Sequence, residues 1–571
     1  MRARLILVSS VALVVAILVT IDRSSSPRRV DSAELAAGAD ESCLGCHRVR
    51  GLGDPHDPRR IGCSSCHLGD PRAQDRRQAH AGLTGPGELI TVFRTCGRAE
   101  CHPAESARVS SSLMAGAPGI LAVDRFAFGE RETSEVRPED DLRSLGSLSS
   151  SPAEDHVRKL CGSCHLGAPK GRAFITEPEP SGSTLGDLGF ASRGGGCSAC
   201  HRTSPVEPLE GDGALHPGVT SDVPERRCEG CHARSGRISL SFRGLAEAEV
   251  GAATRTLPDG RPAVDRVPDV HASRGMTCID CHTERDVMGD GGGPRHASDA
   301  VQARCTDCHA RDLPERIVDP DAGRVAEALR RSWIRRGFAP LASKRPIVNE
   351  WGTPLVRTDR IERTLWLATT GAPLRLPPVP ADPSHQLGGH ERLSCQACHS
   401  VWAPRCPTCH TRVDPASTGF DHLSGRETAP AWVELAGANG TGAPALALGG
   451  SAARGQIVPF VEGMSLVVEG LHEPMKRELW APLDPHTTGP ARGCSSCHPG
   501  DSTTYPTAGA TTRPGARLFR LDELERVRRV GDCVPCHTEA SDLIFKDFSG
   551  SLQRLLEPGA KEKLRCPRGA S

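Results

Sequence analysis

Twenty-four of the 25 cysteines in this 571-residue chain fall into one repeated arrangement, two cysteines followed directly by a histidine. In chain order the copies, numbered here as sites 1 to 12, begin with Cys43-Cys46-His47, Cys63-Cys66-His67, Cys96-Cys101-His102, Cys161-Cys164-His165, Cys197-Cys200-His201 and Cys228-Cys231-His232. They continue with Cys278-Cys281-His282, Cys305-Cys308-His309, Cys395-Cys398-His399, Cys406-Cys409-His410, Cys494-Cys497-His498 and Cys533-Cys536-His537. All but site 3 read C-x-x-C-H, a spacing that suits covalent haem attachment: two thiols form thioethers to the vinyl groups on one edge of the macrocycle, and the adjoining histidine turns under the ring to ligate iron. With 25 Cys and 23 His in the chain, independent placement would give roughly 0.04 such copies. About twelve haem c groups are therefore expected, with each motif histidine a proximal ligand.

Zinc ribbons and redox disulfides also use Cys-x-x-Cys, but neither needs a histidine after every second cysteine. Site 3 carries four residues between its cysteines and must loop out the segment between the two thioethers; His102 follows in register, so it is read as a haem site too. Cys566 has no partner and reads as an idle thiol. Eleven histidines remain: His56, His80, His156, His216, His271, His296, His385, His390, His422, His472 and His486. Each is a candidate distal ligand. From His156 or His390 the five steps to the next cysteine reach roughly 16 Å, barely enough to wrap around their own ring, so these are expected to ligate a neighbouring haem. The seven steps from His399 to Cys406 span roughly 23 Å at most, which makes sites 9 and 10 expected neighbours.

Two segments carry a family resemblance. HQLGGHERLSCQACH, with His385 and His390 ahead of Cys395, resembles the paired-histidine approach to the first haem of class III cytochromes c, with a wider gap between the histidines; the stretched site 3 resembles gaps found in the tetrahaem members. HASRGMTCIDCHTERDVMGDGGGPRH resembles segments of larger periplasmic multihaem cytochromes, including the octahaem reductase superfamily. The likeness covers the motifs and their flanks, perhaps a third of the chain, and it implies bis-histidine haems packed in a chain.

Lys plus Arg and Asp plus Glu number 70 each, so no global field steers the chain toward nucleic acid. Aromatic residues are only 3% of the chain, too few for conventional cores at this length. Macrocycles at roughly one per 44 residues would fill that role. The expected fold is a multihaem cytochrome c: loop-rich, mainly α with little regular secondary structure, a core of stacked haems and a small β-containing insert. Arg2 and Arg4 precede an apolar run from Leu5 to Ile21, interrupted by Ser9, Ser10 and Thr20. That is an export signal, read as an uncleaved inner-membrane anchor rather than a cleaved peptide because no A-x-A site follows closely. Either reading places the bulk of the chain in the periplasm of a Gram-negative cell or beyond its surface. The chain divides into a signal or anchor and linker (1–40), a trihaem segment (41–102), a haem-free linker read as mostly loop (103–155), a pentahaem segment (156–310), a haem-free insert (311–384), a dihaem segment (385–410), a partly β haem-free insert (411–485) and a second dihaem segment with a C-terminal helix (486–571). Helical patterns are expected at Val325–Trp333, Leu521–Val530 and Leu543–Leu556, and an alternating β-like run at Gln456–Val468.

Two functions compete. In the first the chain is an electron-transfer protein rather than an enzyme, exchanging electrons with membrane or periplasmic redox proteins in respiratory or extracellular electron transfer. In the second it is a reductase of nitrite, hydroxylamine or a sulfur oxyanion with one five-coordinate haem. No C-x-x-C-K site is present, so a lysine-ligated active haem is absent, and Tyr505 is the single tyrosine, which disfavours active sites like those of pentahaem nitrite reductases that use one and leaves one candidate for a tyrosine-crosslinked haem like that of hydroxylamine oxidoreductase. Eleven spare histidines cannot serve twelve irons, so Met114, Met276, Met288, Met464 or Met475 could supply a ligand, or one iron stays open. Electron transfer is the favoured reading.

Overall fold

A computed structural model describes most of residues 41–556; residues 1–40, 168–194, 203–215, 316–345 and 557–571, with shorter gaps of one to four residues, lie outside the described set. The expected anchor, the helix at Val325–Trp333, Cys406 of site 10, Met464, His472 and Cys566 fall outside it. No helix of the described residues is long and apolar enough to cross a membrane. The chain forms two compact units, one from residues 1–87, 91–106 and 203–219, the other from 88–90, 107–202 and 220–571.

The smaller unit carries sites 1 and 2 on short helices and site 3 in a run of turns. Cys43–Cys46, Pro58–Ile61, Ser64–His67 and Arg76–Ala79 each make about one turn. Asp57 and Asp75 cap two of them, accepting from Arg59 N at 2.9 Å and Arg77 N at 3.0 Å, which satisfies N–H groups a short helix leaves open. Glu41, two residues ahead of site 1, accepts from Cys63 N at 2.7 Å and Ser64 N at 3.1 Å and so ties sites 1 and 2 together. Among the described residues of this unit, Val92 is the one buried hydrophobic side chain. Its polypeptide has almost no core of its own.

The larger unit mixes helices and sheets. Residues 103–155, expected to be mostly loop, instead hold helices at Pro103–Ser110, Leu113–Gly116, Pro118–Ala127 and Pro152–His156. Composition misled here: Ser112 and Ser151 are N-caps and Pro118 and Pro152 open helices, so the residues that suggested loop are helix-start signals. The charges of the stretch are consumed internally, Arg125 pairing with Asp140 at 2.5 Å and Glu154 at 2.6 Å, while Leu121 and Phe126 are buried.

Sheet extends well beyond one insert. Strands Leu245–Glu247, Pro262–Asp265 and Arg255–Thr256 form one antiparallel sheet, and hairpins follow between Ile347 and Arg375. In residues 403–512, Cys409–Asp414 lies inside a four-stranded sheet, antiparallel to Ala431–Leu435 and parallel to Leu466–Glu469, with Met475–Arg477 at the edge. A second sheet orders Ala445–Leu448, Ile457–Glu462, Leu479–Pro482 and Thr511–Thr512. The alternating run 456–468 accordingly supplies strands Ile457–Glu462 and Leu466–Glu469 to two different sheets. Leu521–Gly531 is a helix as the periodicity indicates, and the C-terminal pattern is two helices, Leu543–Lys546 and Phe548–Leu556, broken at Asp547.

Candidate cofactor sites

Most motifs occupy a single helical turn. Cys197–His201, Cys278–Cys281, Cys305–His309 and Cys395–His399 are short α-helices, and Glu225–His232 carries site 6. One turn puts positions i and i+3 on the same face, so both thiols point the same way and the histidine follows beneath. Local capping fixes these turns: Asp280 Oδ2 accepts from Thr277 N at 2.8 Å, Asp307 Oδ2 from Arg304 N at 2.8 Å, and Ser394 Oγ from Ala397 N at 3.2 Å.

In seven cases among the described residues, a motif histidine faces one of the spare histidines. In the smaller unit the pairs are His47 with His80, His102 with His56, and His67 with His216, ring centres 6.0, 6.3 and 5.8 Å apart. In the larger unit His309 faces His271, His282 faces His486, His399 faces His385, and His498 faces His390, at 6.0, 6.2, 6.2 and 5.9 Å. Each pair joins one motif ring to one spare ring, and no ring is used twice. With metal–imidazole bonds of about 2.0 Å and about 1.15 Å from nitrogen to ring centre, two imidazoles on opposite sides of one ion have centres about 6.3 Å apart. The interplanar angles range from 13° to 78°, which is no obstacle, because each ring can rotate about its own metal–nitrogen bond.

The second ring nitrogen decides which lone pair is free. His201 Nδ1 donates to Thr220 O at 2.8 Å, His309 Nδ1 to Pro377 O at 2.7 Å, His399 Nδ1 to Gly489 O at 3.0 Å, and His498 Nδ1 to Val527 O at 3.2 Å. A carbonyl only accepts, so the proton sits on Nδ1 and Nε2 is left bare, the arrangement metal-bound histidines use. His216 and His486 do the same through Pro217 O and Asp484 O. Carboxylates hold Nδ1 of His271 (Asp269, 2.8 Å), His282 (Asp286, 3.3 Å), His385 (Asp382, 3.2 Å) and His537 (Asp542, 2.7 Å). Burial lowers the pKa of His309 and His498 and pushes His67 down to about 4, which keeps these rings neutral and ligand-competent. Burial likewise holds Cys66, Cys281 and Cys308 up at about 12, as thiols.

Other expected ligands sit differently. His165 Nδ1 accepts from Gly167 N at 3.1 Å while its buried Nε2 has no partner, so in the neutral ring the proton is on Nε2, the reverse of the pattern above. Burial drives its pKa to about 4. His156 is 3% exposed, its Nδ1 held by Asp124 at 2.8 Å, its ring packed against both Phe128 and Trp432, which also touch each other, and its Nε2 unpartnered. Burial opposes its protonation, but the Asp124 carboxylate outweighs that and its pKa is raised. His422 packs on Phe420 and beside Gly162 of site 4, and His296 precedes the turn Ala297–Ala300. His410 stands on a strand, not a helical turn, and its Nε2 is 2.6 Å from Glu469 Oε1. Cys536 is disulfide-bonded, whereas the other motif cysteines outside site 10 are free thiols. Met276 is buried among Ile347, Leu365, Leu367 and Leu376, Met114 and Met288 pack, as Cys200 does, against Val109 and Ala199, and Met475 packs against the Phe128–Trp432 cluster. Tyr505 is buried edge-on to Phe519 in a cluster with Cys497.

The thiols, paired rings and bare Nε2 atoms fit haem c at most of the motifs. Sequence reasoning missed the groups that orient the rings; Asp269, Asp286 and Asp382 lie within four residues of their histidines and were legible in principle, while carbonyls contributed by remote residues were not. No family model, no curated protein and no solved structure matches this chain.

Proposed function

We propose that the chain is a multihaem c-type cytochrome that relays electrons in respiratory or extracellular electron transfer, anchored at the inner membrane through Leu5–Ile21 with its bulk in the periplasm. The observation that carries this reading is the one-to-one pairing of seven motif histidines with seven spare histidines at 5.8 to 6.3 Å. Haem c held there would supply a one-electron couple whose six-coordinate iron binds no substrate. The chain's own residues would do the rest: the cysteine pairs would hold the macrocycle edge, the paired imidazoles would ligate the metal, and carbonyl or carboxylate partners of Nδ1 hold His216, His271, His282, His309, His385, His399, His486 and His498 in one tautomer. The near absence of a polypeptide core around sites 1 to 3 also favours it, because large apolar discs would provide what the side chains do not.

Intact mass and electron paramagnetic resonance of the oxidised, purified protein test the reading. The expected result is about twelve covalent haems, with low-spin signals from at least the seven paired sites. Fewer than seven haems, or predominantly high-spin iron, would refute it.

A further inference from the structure

Residues 484–489 meet three sites of the larger unit. His486 faces His282 of site 7, with 6.2 Å between ring centres. Further along, Gly489 O accepts from His399 Nδ1 of site 9 at 3.0 Å while Gly489 N donates to His399 O at 2.8 Å. Between them Thr488 N donates to Asp269 Oδ2 at 2.7 Å, and Thr488 O accepts from Val270 N at 2.8 Å. Asp269 Oδ1 in turn accepts from both N and Nδ1 of His271, each at 2.8 Å, and His271 faces His309 of site 8. One carboxylate therefore holds the ring opposite the site 8 histidine through one oxygen. Through the other it holds the backbone just past the ring opposite the site 7 histidine.

Asp269 is 2% exposed, so little water competes for these bonds and each counts for more than it would at the surface. His486 has a φ of 52°, a left-handed conformation that a residue with a Cβ keeps only where its surroundings over-determine it. Here they do: His486 N donates to Asp484 Oδ1 at 2.9 Å, Val401 N to Thr487 O at 3.0 Å and the Thr487 hydroxyl to Trp402 O, and the bond from Thr488 N to Asp269 completes the set. At site 8 the two facing rings have unlike partners, since His309 Nδ1 donates to a carbonyl and His271 Nδ1 to a carboxylate. A carboxylate on Nδ1 makes an imidazole the stronger electron donor, and hydrogen bonding to an axial ring is one of the levers a protein has on the potential of a haem iron.

Resting on the haem reading above, we infer that Asp269 is a positioning residue shared by two haem sites: it tunes the reduction potential of site 8 through His271 and holds the axial geometry of site 7 through Thr488 and His486. In the full-length holoprotein, His271→Ala and His486→Ala are each expected to turn one low-spin haem high-spin, which identifies the electron paramagnetic resonance signals of sites 8 and 7. Asp269→Asn keeps the shape of the side chain, removes its charge and replaces one acceptor oxygen by a donor. In a potentiometric titration followed by the same spectra, with the haem count by mass unchanged and both haems still low-spin, the midpoint of site 8 is expected to rise and the g-values of site 7 to move. Asp382→Asn, whose carboxylate holds His385 opposite His399, is the comparison and is expected to alter the site 9 signal alone. A change at only one of sites 7 and 8 in Asp269→Asn, a change at neither, or conversion of site 8 to high spin overturns the inference, as does an Asp382→Asn variant that alters sites 7 and 8 equally. Where Asp269→Asn fails to accumulate, Asp269→Glu replaces it; its longer side chain is expected to move both signals, and movement of one or neither again overturns the sharing. Absence of high-spin iron in both alanine variants removes the ligands on which the inference stands. A parent protein without covalent haem would sink the haem reading itself, an outcome visible in the mass before any signal is compared.

Discussion

The loop that brings His422 beside site 4 hangs on one buried ion pair, and its removal has a calculable cost. Arg158 is 1% exposed; its Nε and Nη2 donate to Asp421 Oδ2 at 2.9 and 2.7 Å and its Nη1 to Gly146 O at 2.8 Å. Asp421 Oδ1 accepts from Leu423 N at 2.9 Å and Ser424 N at 3.1 Å, and His422 N donates to Arg158 O at 3.1 Å. Burial by itself would raise the Asp421 pKa, but the Arg158 guanidinium and the two backbone N–H groups more than offset it and hold the carboxyl below its usual range. The pair's contribution is therefore complete above the ordinary carboxylate pKa of about 3.9 and is lost as pH falls through the lower, folded-state value. At neutral pH, Asp421→Ala strands a buried guanidinium, and the expected loss is about 3–5 kcal/mol. Arg158→Met with Asp421→Leu removes both charges and is expected to come within about 1 kcal/mol of the parent, because the penalty belongs to the unpaired charge and not to the absence of the pair. Guanidinium unfolding of all three holoproteins, followed by near-ultraviolet circular dichroism, measures this. A single variant that loses less than about 1 kcal/mol, or a double variant no better than the single, would refute the reasoning.

Two further outcomes are expected. His390→Ala should convert one low-spin haem, that of site 11, to high spin in the oxidised electron paramagnetic resonance spectrum while the covalent haem count by mass is unchanged; an unaltered spectrum would show that His390 is not a ligand despite its 5.9 Å approach to His498. Glu523, held down to about 2 chiefly by the two 2.7 Å hydrogen bonds from Arg517, contributes stability above the ordinary pKa of about 4.3 that is lost as pH falls toward 2; because Arg517 is half-exposed, Glu523→Gln should cost only about 1 kcal/mol at pH 7 and nothing at pH 2, read as the difference in unfolding midpoint between the two pH values.

How far the sequence could be read depended on where each interaction finds its partner. Thioether attachment needs two thiols and an imidazole within one turn, so the motifs announce themselves locally, and Asp280 and Asp307 inside sites 7 and 8 even cap the turns that carry them. The spare histidines were legible as a set but not as pairs. His385 lies close in sequence to the motif it faces, yet His80 faces site 1 from beyond site 2, His216 faces site 2 from beyond sites 3 to 5, and His486, just ahead of site 11, faces site 7. Residues 103–155 failed for a different reason: Ser, Glu and Arg were counted as loop formers, when Ser112 and Ser151 start helices and Arg125 neutralises Asp140 and Glu154 in the interior.

That distribution of ligands bears on how such a chain could assemble under the proposed reading. Closing the segment between His67 and His216 costs loop entropy that grows only slowly with length, but it must still be offset by something in a unit whose described residues bury a single hydrophobic side chain. A haem held by Cys63 and Cys66, with its metal bonded to both imidazoles, would be the strongest compensation within reach of these residues. The larger unit differs, because clusters such as Leu121 with Leu142 and Val157, or Phe460 with Ala445 and Val458, pack side chain against side chain. Loss of the axial histidines should therefore unfold the two units unequally: His216→Ala leaves the smaller unit with neither a core nor a closed loop, whereas His390→Ala leaves the clusters around site 11 intact. Limited proteolysis of the two holoproteins distinguishes them. Cleavage within residues 41–106 should rise sharply in the first variant, and equal protection in both would mean that the smaller unit is held together by something other than its ligands.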